Sequence, residues 1–272
     1  MKAAYVKNLL LLNAVLLSLS SRAEAPKTVP KIREETVELV SGGVSYKCFV
    51  AYDENIRGRR PAVLVLPEWW GLTDYLKMRA RKLAELGYLA MAVDVFGQGR
   101  TAKDPKEAGE LTKPYHQDPT LAKTRIDDAI RRVKQFPQCD PHHIAAIGYC
   151  FGGNLVLNAA KLGAGLEAVV SFHGSFPRAP LDKKLFHAKV LICQGDSDKF
   201  VPVQAVDAFK RQLDSIGVEN TVRIYPNATH AFTNPDATRL GKQFNMPIAY
   251  NPEADEESWN EMIAFFDRIF KK

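Results

Sequence analysis

The chain is 272 residues long, 46% hydrophobic and 25% charged, with a formal net charge of +6. That hydrophobic fraction supplies a large core and excludes a disordered chain. The basic residues are spread without a long Lys/Arg block, so nothing points to nucleic acid, although a mild attraction for anionic substrates follows.

Met1 to Lys7 is basic, Leu9 to Leu17 is apolar, and small residues lead to Ala23-Glu24-Ala25. This is the layout of a secretory signal, and the apolar run is short for a membrane span. Residues 1–25 are expected to be an export signal, leaving a periplasmic or secreted product with no stable membrane anchor. Pro26 hinders a cut after Ala25, so Ala23 is the second cleavage choice. An uncleaved anchor is the competing reading. Residues 26–272 fit one α/β domain.

Thr36–Val40 and Val44–Val50 flank Ser41-Gly42-Gly43 and predict a β-hairpin. Pro61–Leu66 is a continuous apolar run, as in a central parallel strand. Asp74–Leu86 reads as a helix ended by Gly87, and Tyr88–Val93 as the next strand. Asp94 to about Pro119 reads as a polar loop covering a pocket. Leu121–Phe136 is helical, with Ile126, Ile130 and Val133 on one face. Strands follow at His143–Ile147, Leu166–Phe172, Lys189–Cys193 and Thr221–Tyr225. Helices follow at Asn154–Ala160, Pro202–Ile216 and Glu256–Phe270. The alternation implies a mostly parallel sheet with helices on both faces.

Gly148-Tyr149-Cys150-Phe151-Gly152-Gly153 is the most informative stretch. It reads G-x-C-x-G between a strand and a helix, the strand-turn-helix elbow that presents a nucleophile. The glycines are needed because a Cβ there meets the neighbouring strand or helix. Cys150 then sits at a helix N-terminus, where the dipole favours a thiolate. A glycine turn with an inert buried cysteine is the bland alternative. Two further residues weigh against it. Asp198 follows the strand Lys189–Cys193, and His230 follows the strand Thr221–Tyr225. Nucleophile, acid and base thus occur in hydrolase order, each just past a strand's C-terminal end, where open α/β sheets bind ligands.

With these motifs the chain resembles the dienelactone hydrolase family of the α/β-hydrolase superfamily, from about Glu38 to the C-terminus. Pro67-Glu68-Trp69-Trp70-Gly71-Leu72, the elbow, Gly195-Asp196-Ser197-Asp198 and His230-Ala231-Phe232 carry the resemblance. It implies an α/β-hydrolase fold with an N-terminal β-hairpin, and a carboxylic ester or lactone hydrolase with a Cys150–His230–Asp198 triad. It also implies a glutamate beside the nucleophile, matched by Glu68, and arginines for a substrate carboxylate. Arg100 is a candidate by position, while Thr233 stands where one basic contact is expected.

In that chemistry Cys150 attacks an acyl carbon, His230 moves the proton, and Asp198 fixes the imidazole. The N–H of Phe151 is one oxyanion donor, and the second is expected from Trp69. Trp69 and Trp70 either wall the pocket or fill core space, and Tyr149 is a further pocket candidate, although aromatics such as Tyr75, Tyr149 and Phe232 more often pack than confer specificity. Glu68 either keeps the resting thiol protonated or caps a loop. His173, at another strand end, reads as structural rather than pocket-lining. Thiolate and alcohol compete to leave the tetrahedral intermediate, so activated esters, enol lactones or thioesters are favoured. A non-catalytic binding protein and a thiol-redox protein are the alternatives.

No C-x-x-C or paired metal-ligand spacing occurs, and neither cofactor nor metal is expected. Of the four cysteines, Cys48 and Cys139 are the pair open to a disulfide. The expected partner is a small ester or lactone. The sequence carries no signal for oligomeric state.

Overall fold

A computed structural model describes residues 29–177 and 181–270. The export signal expected over residues 1–25 lies outside the described residues. β1 (Ile32–Ser41) and β2 (Val44–Asp53) form the expected hairpin. Its turn glycines, Gly42 and Gly43, have φ of 56° and 77°, which glycine adopts without steric cost.

The other strands are β3 (Arg60–Leu66), β4 (Leu89–Ala92), β5 (Cys139–Tyr149), β6 (Ala168–Phe172), β7 (Lys189–Gly195) and β8 (Asn220–Tyr225). The eight lie in the order β1-β2-β4-β3-β5-β6-β7-β8. β2 pairs antiparallel with β1 and β4, and every pairing from β4 through β8 is parallel.

Period-2 alternation builds a core on each face of this sheet. Leu64 and Leu66 of β3 and Ile144 and Ala146 of β5 join one cluster, completed by α3 (Thr120–Val133), α4 (Phe151–Lys161) and α5 (Val203–Ser215). Val63, Val65, Ala145, Ile147 and Tyr149 face the other, completed by α1 (Asp74–Glu85) and α7 (Pro252–Phe270). Each buried aliphatic side chain contributes about 1.5–3 kcal/mol, so the central strands anchor the loops at their ends.

Two helices depart from the sequence reading. The stretch expected as a polar loop contains α2 (Pro105–Gln117), and α6 (Ala237–Phe244) follows β8. The start of α2 is marked in the sequence. Asp104 is the N-cap and accepts from the Glu107 N–H at 2.9 Å, with Pro105 inside the first turn. Thr112 and Tyr115 then turn inward on a helix otherwise polar enough to pass for a loop.

All four cysteines are free thiols, so Cys48 and Cys139 form no bridge. Burial pushes the Cys48 and Cys193 thiols up to about 12 and the Cys139 thiol to about 11.

Candidate active site

Cys150 stands between β5 and α4 with φ 52° and ψ −111°, a conformation that costs a non-glycine residue on the order of 1–3 kcal/mol. The turn is tight enough to dictate its glycines. A Cβ on Gly148 would lie 2.1 Å from the Gly152 carbonyl oxygen, and one on Gly152 would lie 2.3 Å from the Leu66 carbonyl oxygen. The Cys150 N–H donates to the Phe172 carbonyl at 2.9 Å and to His173 Nδ1 at 3.1 Å.

Three loops bring Cys150, His230 and Asp198 together. His230 Nε2 lies 3.0 Å from Cys150 Sγ, and its Nδ1 lies 2.8 Å from Asp198 Oδ2. Asp198 is held in turn. Its Oδ1 accepts the N–H groups of Phe200 and Val201 at 2.8 and 2.9 Å, and its Oδ2 accepts from the Gln194 amide at 2.7 Å. Burial resists ionisation of Asp198, but His230 and these N–H donors outweigh it and hold the carboxyl below its ordinary range. An ionised carboxylate only accepts, so Nδ1 carries a proton and Nε2 is the ring nitrogen that faces the sulfur. Burial also opposes the imidazolium. The Cys150 sulfur and the Asp198 carboxylate overcome it and raise His230 well above its ordinary value.

Cys150 and His230 open onto a cavity of about 230 Å³, also lined by Glu68, Trp69, Trp70 and Phe151. Phe151 begins α4, so its N–H belongs to the unpaired first turn of a helix. Trp69 and Trp70 do both things the sequence allows. They meet edge-on at 5.1 Å on the cavity wall, and Trp70 stacks on Phe244 of α6 at 5.8 Å.

Glu68 is 4% exposed and accepts from the Asn234 side-chain amide at 2.6 Å. Burial raises its carboxyl to about 7, and the amide, His230 and Arg79 only partly offset this.

Two pocket candidates are not brought to the cavity. Tyr149 belongs to the α1/α7 face by strand alternation. It is fully buried there, stacked on Phe172 at 4.8 Å with the Arg79 guanidinium 5.5 Å from its ring. Arg100 is exposed, and its guanidinium folds back onto the Phe96 carbonyl.

His173 has a larger part than a strand-end histidine suggests. It is completely buried at φ 44°. Because Nδ1 accepts the Cys150 N–H, the ring proton is on Nε2, which reaches Thr233 Oγ1 at 2.8 Å. The Thr233 hydroxyl in turn meets the Tyr75 hydroxyl at 2.7 Å. Burial, then the neighbouring His230 and Arg79 charges, keep His173 neutral, well below its ordinary value. One imidazole thus ties the Cys150 turn to the loop that carries His230. The sequence separations of 23 and 60 residues hide both bonds from a reading of the chain. Phe200, His116, Met246 and Ile248 also line the cavity and carry no motif that marks them.

A mostly parallel sheet with a strand-turn-helix elbow beside a buried His–Asp pair defines the α/β-hydrolase class. Within it, the chain belongs to the dienelactone hydrolase family, whose sequence profile matches residues 47–270, and it is a hydrolase of the ester and lactone type. It is 28% identical over 242 residues to an Aquifex aeolicus protein named "Putative carboxymethylenebutenolidase", covering 87% of this chain and 99% of that one. It superimposes with a TM-score of 0.83 on a dienelactone hydrolase-like promiscuous phosphotriesterase from metagenomic libraries, 32% identical, covering 88% of this chain and 99% of the other. A second solved structure, m3DLH, has a TM-score of 0.83 and 33% identity over 88% of this chain and 99% of its own.

Proposed function

We propose that the protein is an exported cysteine hydrolase that cleaves activated esters or enol lactones through an acyl-thioester. The observation that carries this is the contact line from Cys150 Sγ to His230 Nε2 at 3.0 Å and on to Asp198 at 2.8 Å. In the first half-reaction Sγ bonds to the acyl carbon and the carbonyl electrons move to oxygen, beside the N–H groups of Phe151 and Trp69. The C–O bond then breaks, and the leaving oxygen takes the proton from His230. Water next attacks the thioester, His230 accepts its proton, the C–S bond breaks, and the thiol is restored.

A thiolate leaves more readily than a simple alkoxide, so productive collapse needs a phenol, enol or thiol leaving group. The apolar cavity wall supports uncharged organic substrates of this kind. Glu68 deepens the reading, because an anionic carboxylate beside the cavity repels a thiolate and favours a protonated resting thiol until substrate binds. The redox alternative has less support, because Cys150 is the one cysteine among the described cavity residues. Export rests on the basic, apolar and small-residue layout of residues 1–25, and intact mass from the native host tests it. Loss of about 23–25 residues is expected, and an intact Met1 on the native protein contradicts it.

The test of the chemistry is turnover of p-nitrophenyl acetate by wild type and Cys150→Ala. The alanine variant should be folded and inactive, and iodoacetamide should inactivate wild type by alkylating Cys150. Full activity in the alanine variant sinks the assignment.

A further inference from the structure

A second hollow lies beside the cavity of Cys150, again of about 230 Å³, and the two share Ser175, Phe200 and Val201 as their common wall. Phe176 and Phe209 line the second hollow, stacked at 4.8 Å and 19°. Ala208 and Gln212, one turn apart on α5, also line it.

Phe200 belongs to both hollows. It is 55% exposed, unusual for a phenylalanine in a loop otherwise tied down, and its ring meets the His230 imidazole edge-on at 5.1 Å. Its backbone is not free to drift, because its N–H and that of Val201 are bonded to Asp198 at 2.8 and 2.9 Å. Two of the three shared wall residues, Phe200 and Val201, therefore belong to the acid's own loop. Its Phe200 touches His230, while Phe151 and Trp69 line the same cavity from other segments of the chain.

Position decides which part of a substrate reaches the second hollow. The leaving oxygen must come within hydrogen-bond reach of His230 Nε2 to take its proton. Whatever is attached to that oxygen then emerges alongside Phe200. We propose that the hollow is a leaving-group subsite, in which an extended aryl group stacks on Phe200 and reaches the Phe176–Phe209 pair. Three aromatic rings suit a flat conjugated ligand by edge and face contacts. This rests on the ester-hydrolase reading and adds to it. The leaving group would be an extended phenol or enol, selected by fit as well as by acidity.

The experiment compares phenyl acetate, 4-biphenylyl acetate and phenyl hexanoate, the first two having leaving groups of similar acidity. Wild type is set beside Ala208→Trp and Gln212→Trp, which fill the hollow from α5, a helix that does not line the cavity of Cys150. The added ring should raise wild-type kcat/KM on the order of 10-fold, the gain from burying one more ring. Both variants should lose that gain and keep phenyl acetate and phenyl hexanoate turnover within about 2-fold, a change of less than 1 kcal/mol. If both keep the gain, or if the loss falls on phenyl hexanoate instead, the subsite assignment is overturned. Calorimetric binding of 4-phenylphenol against phenol needs no turnover. Preference for 4-phenylphenol in wild type that vanishes in the variants supports the subsite even if no ester is cleaved, in which case the hydrolase reading alone fails. Equal binding of the two phenols by wild type overturns the subsite even if esters are cleaved.

Discussion

Glu68 and Thr233 show how single buried polar groups set the behaviour of this site. The Glu68 carboxyl, raised by burial to about 7 from an unfolded value of 4.5, binds its proton more tightly in the folded state. Its folded pKa exceeds its unfolded one, so the native state holds more protons between these values and stability declines as pH rises through them. Above the window the folded protein carries a penalty of about 3 kcal/mol, an order-of-magnitude figure from 1.36 kcal/mol per pKa unit. Glu68→Gln should therefore raise the midpoint of denaturant unfolding at pH 8 and leave it nearly unchanged at pH 4. An equal effect at both values speaks against a titrating Glu68. Thr233 is the acceptor that fixes the His173 proton on Nε2. Thr233→Val leaves that buried N–H unpaired, at a cost of about 1–3 kcal/mol. It should also lower kcat on the order of 10-fold through misplacement of Cys150 against His230, with KM little changed. Thr233→Ser should restore the rate. A loss of stability with unaltered kcat would reduce His173 to packing.

At the scale of elements, the elbow is the part whose chemistry and geometry are written together. The glycines of Gly148-Tyr149-Cys150-Phe151-Gly152 could be read from the chain because a short repeat of one residue type encodes a local constraint. The hairpin glycines and the period-2 strands were legible for the same local reason. α2 reads as loop because its polar surface hides an N-cap signal, Asp104-Pro105-Lys106-Glu107. Tyr149 precedes Cys150 in the chain, yet strand alternation sends it to the opposite face, so it packs rather than lines the pocket. Contacts such as Glu68 with Asn234, 166 residues apart, exist only once the sheet is assembled. The elbow and α2 give a sharp contrast between two glycines. Gly152→Ala places a Cβ 2.3 Å from the Leu66 carbonyl oxygen, backbone against backbone, and should cost about 3 kcal/mol or more and abolish activity. Gly109→Ala, in α2 with nothing within 4 Å of its Cβ, should stabilise by about 0.5–1 kcal/mol. Thermal melting of the two variants checks both signs, and tolerance of Gly152→Ala would show that the turn is looser than these distances require.

Across the whole molecule, helices far apart in sequence are pinned to the site by one buried cation. Arg79 of α1 bonds both Asp255 of α7 and the Thr233 carbonyl, and its guanidinium lies 5.3 Å from the Trp259 ring. The loop after His230 is thus fastened to the same face of the sheet that α1 and α7 cover. Removing one partner of a buried pair leaves the other uncompensated. Asp255→Ala should therefore destabilise by about 3–5 kcal/mol, readable as an earlier unfolding midpoint in denaturant. A shift below 1 kcal/mol would mean that the pair is not needed to hold α7 in place.

The distribution of sulfur gives this protein a built-in record of its own opening. One thiol faces a cavity, and three lie in the two cores with burial holding them protonated. Protonated, enclosed thiols react slowly with alkylating reagents, and they become reactive only when the chain around them opens. A brief iodoacetamide pulse should add one adduct per folded molecule, at Cys150, and four per unfolded molecule. Intermediate masses along a denaturant series would then locate which sheet face loosens first. Cys193 reports the α1/α7 side, while Cys48 and Cys139 report the other. A population stalled at two or three adducts would reveal a half-open state, and a direct passage from one to four would show that both faces melt together.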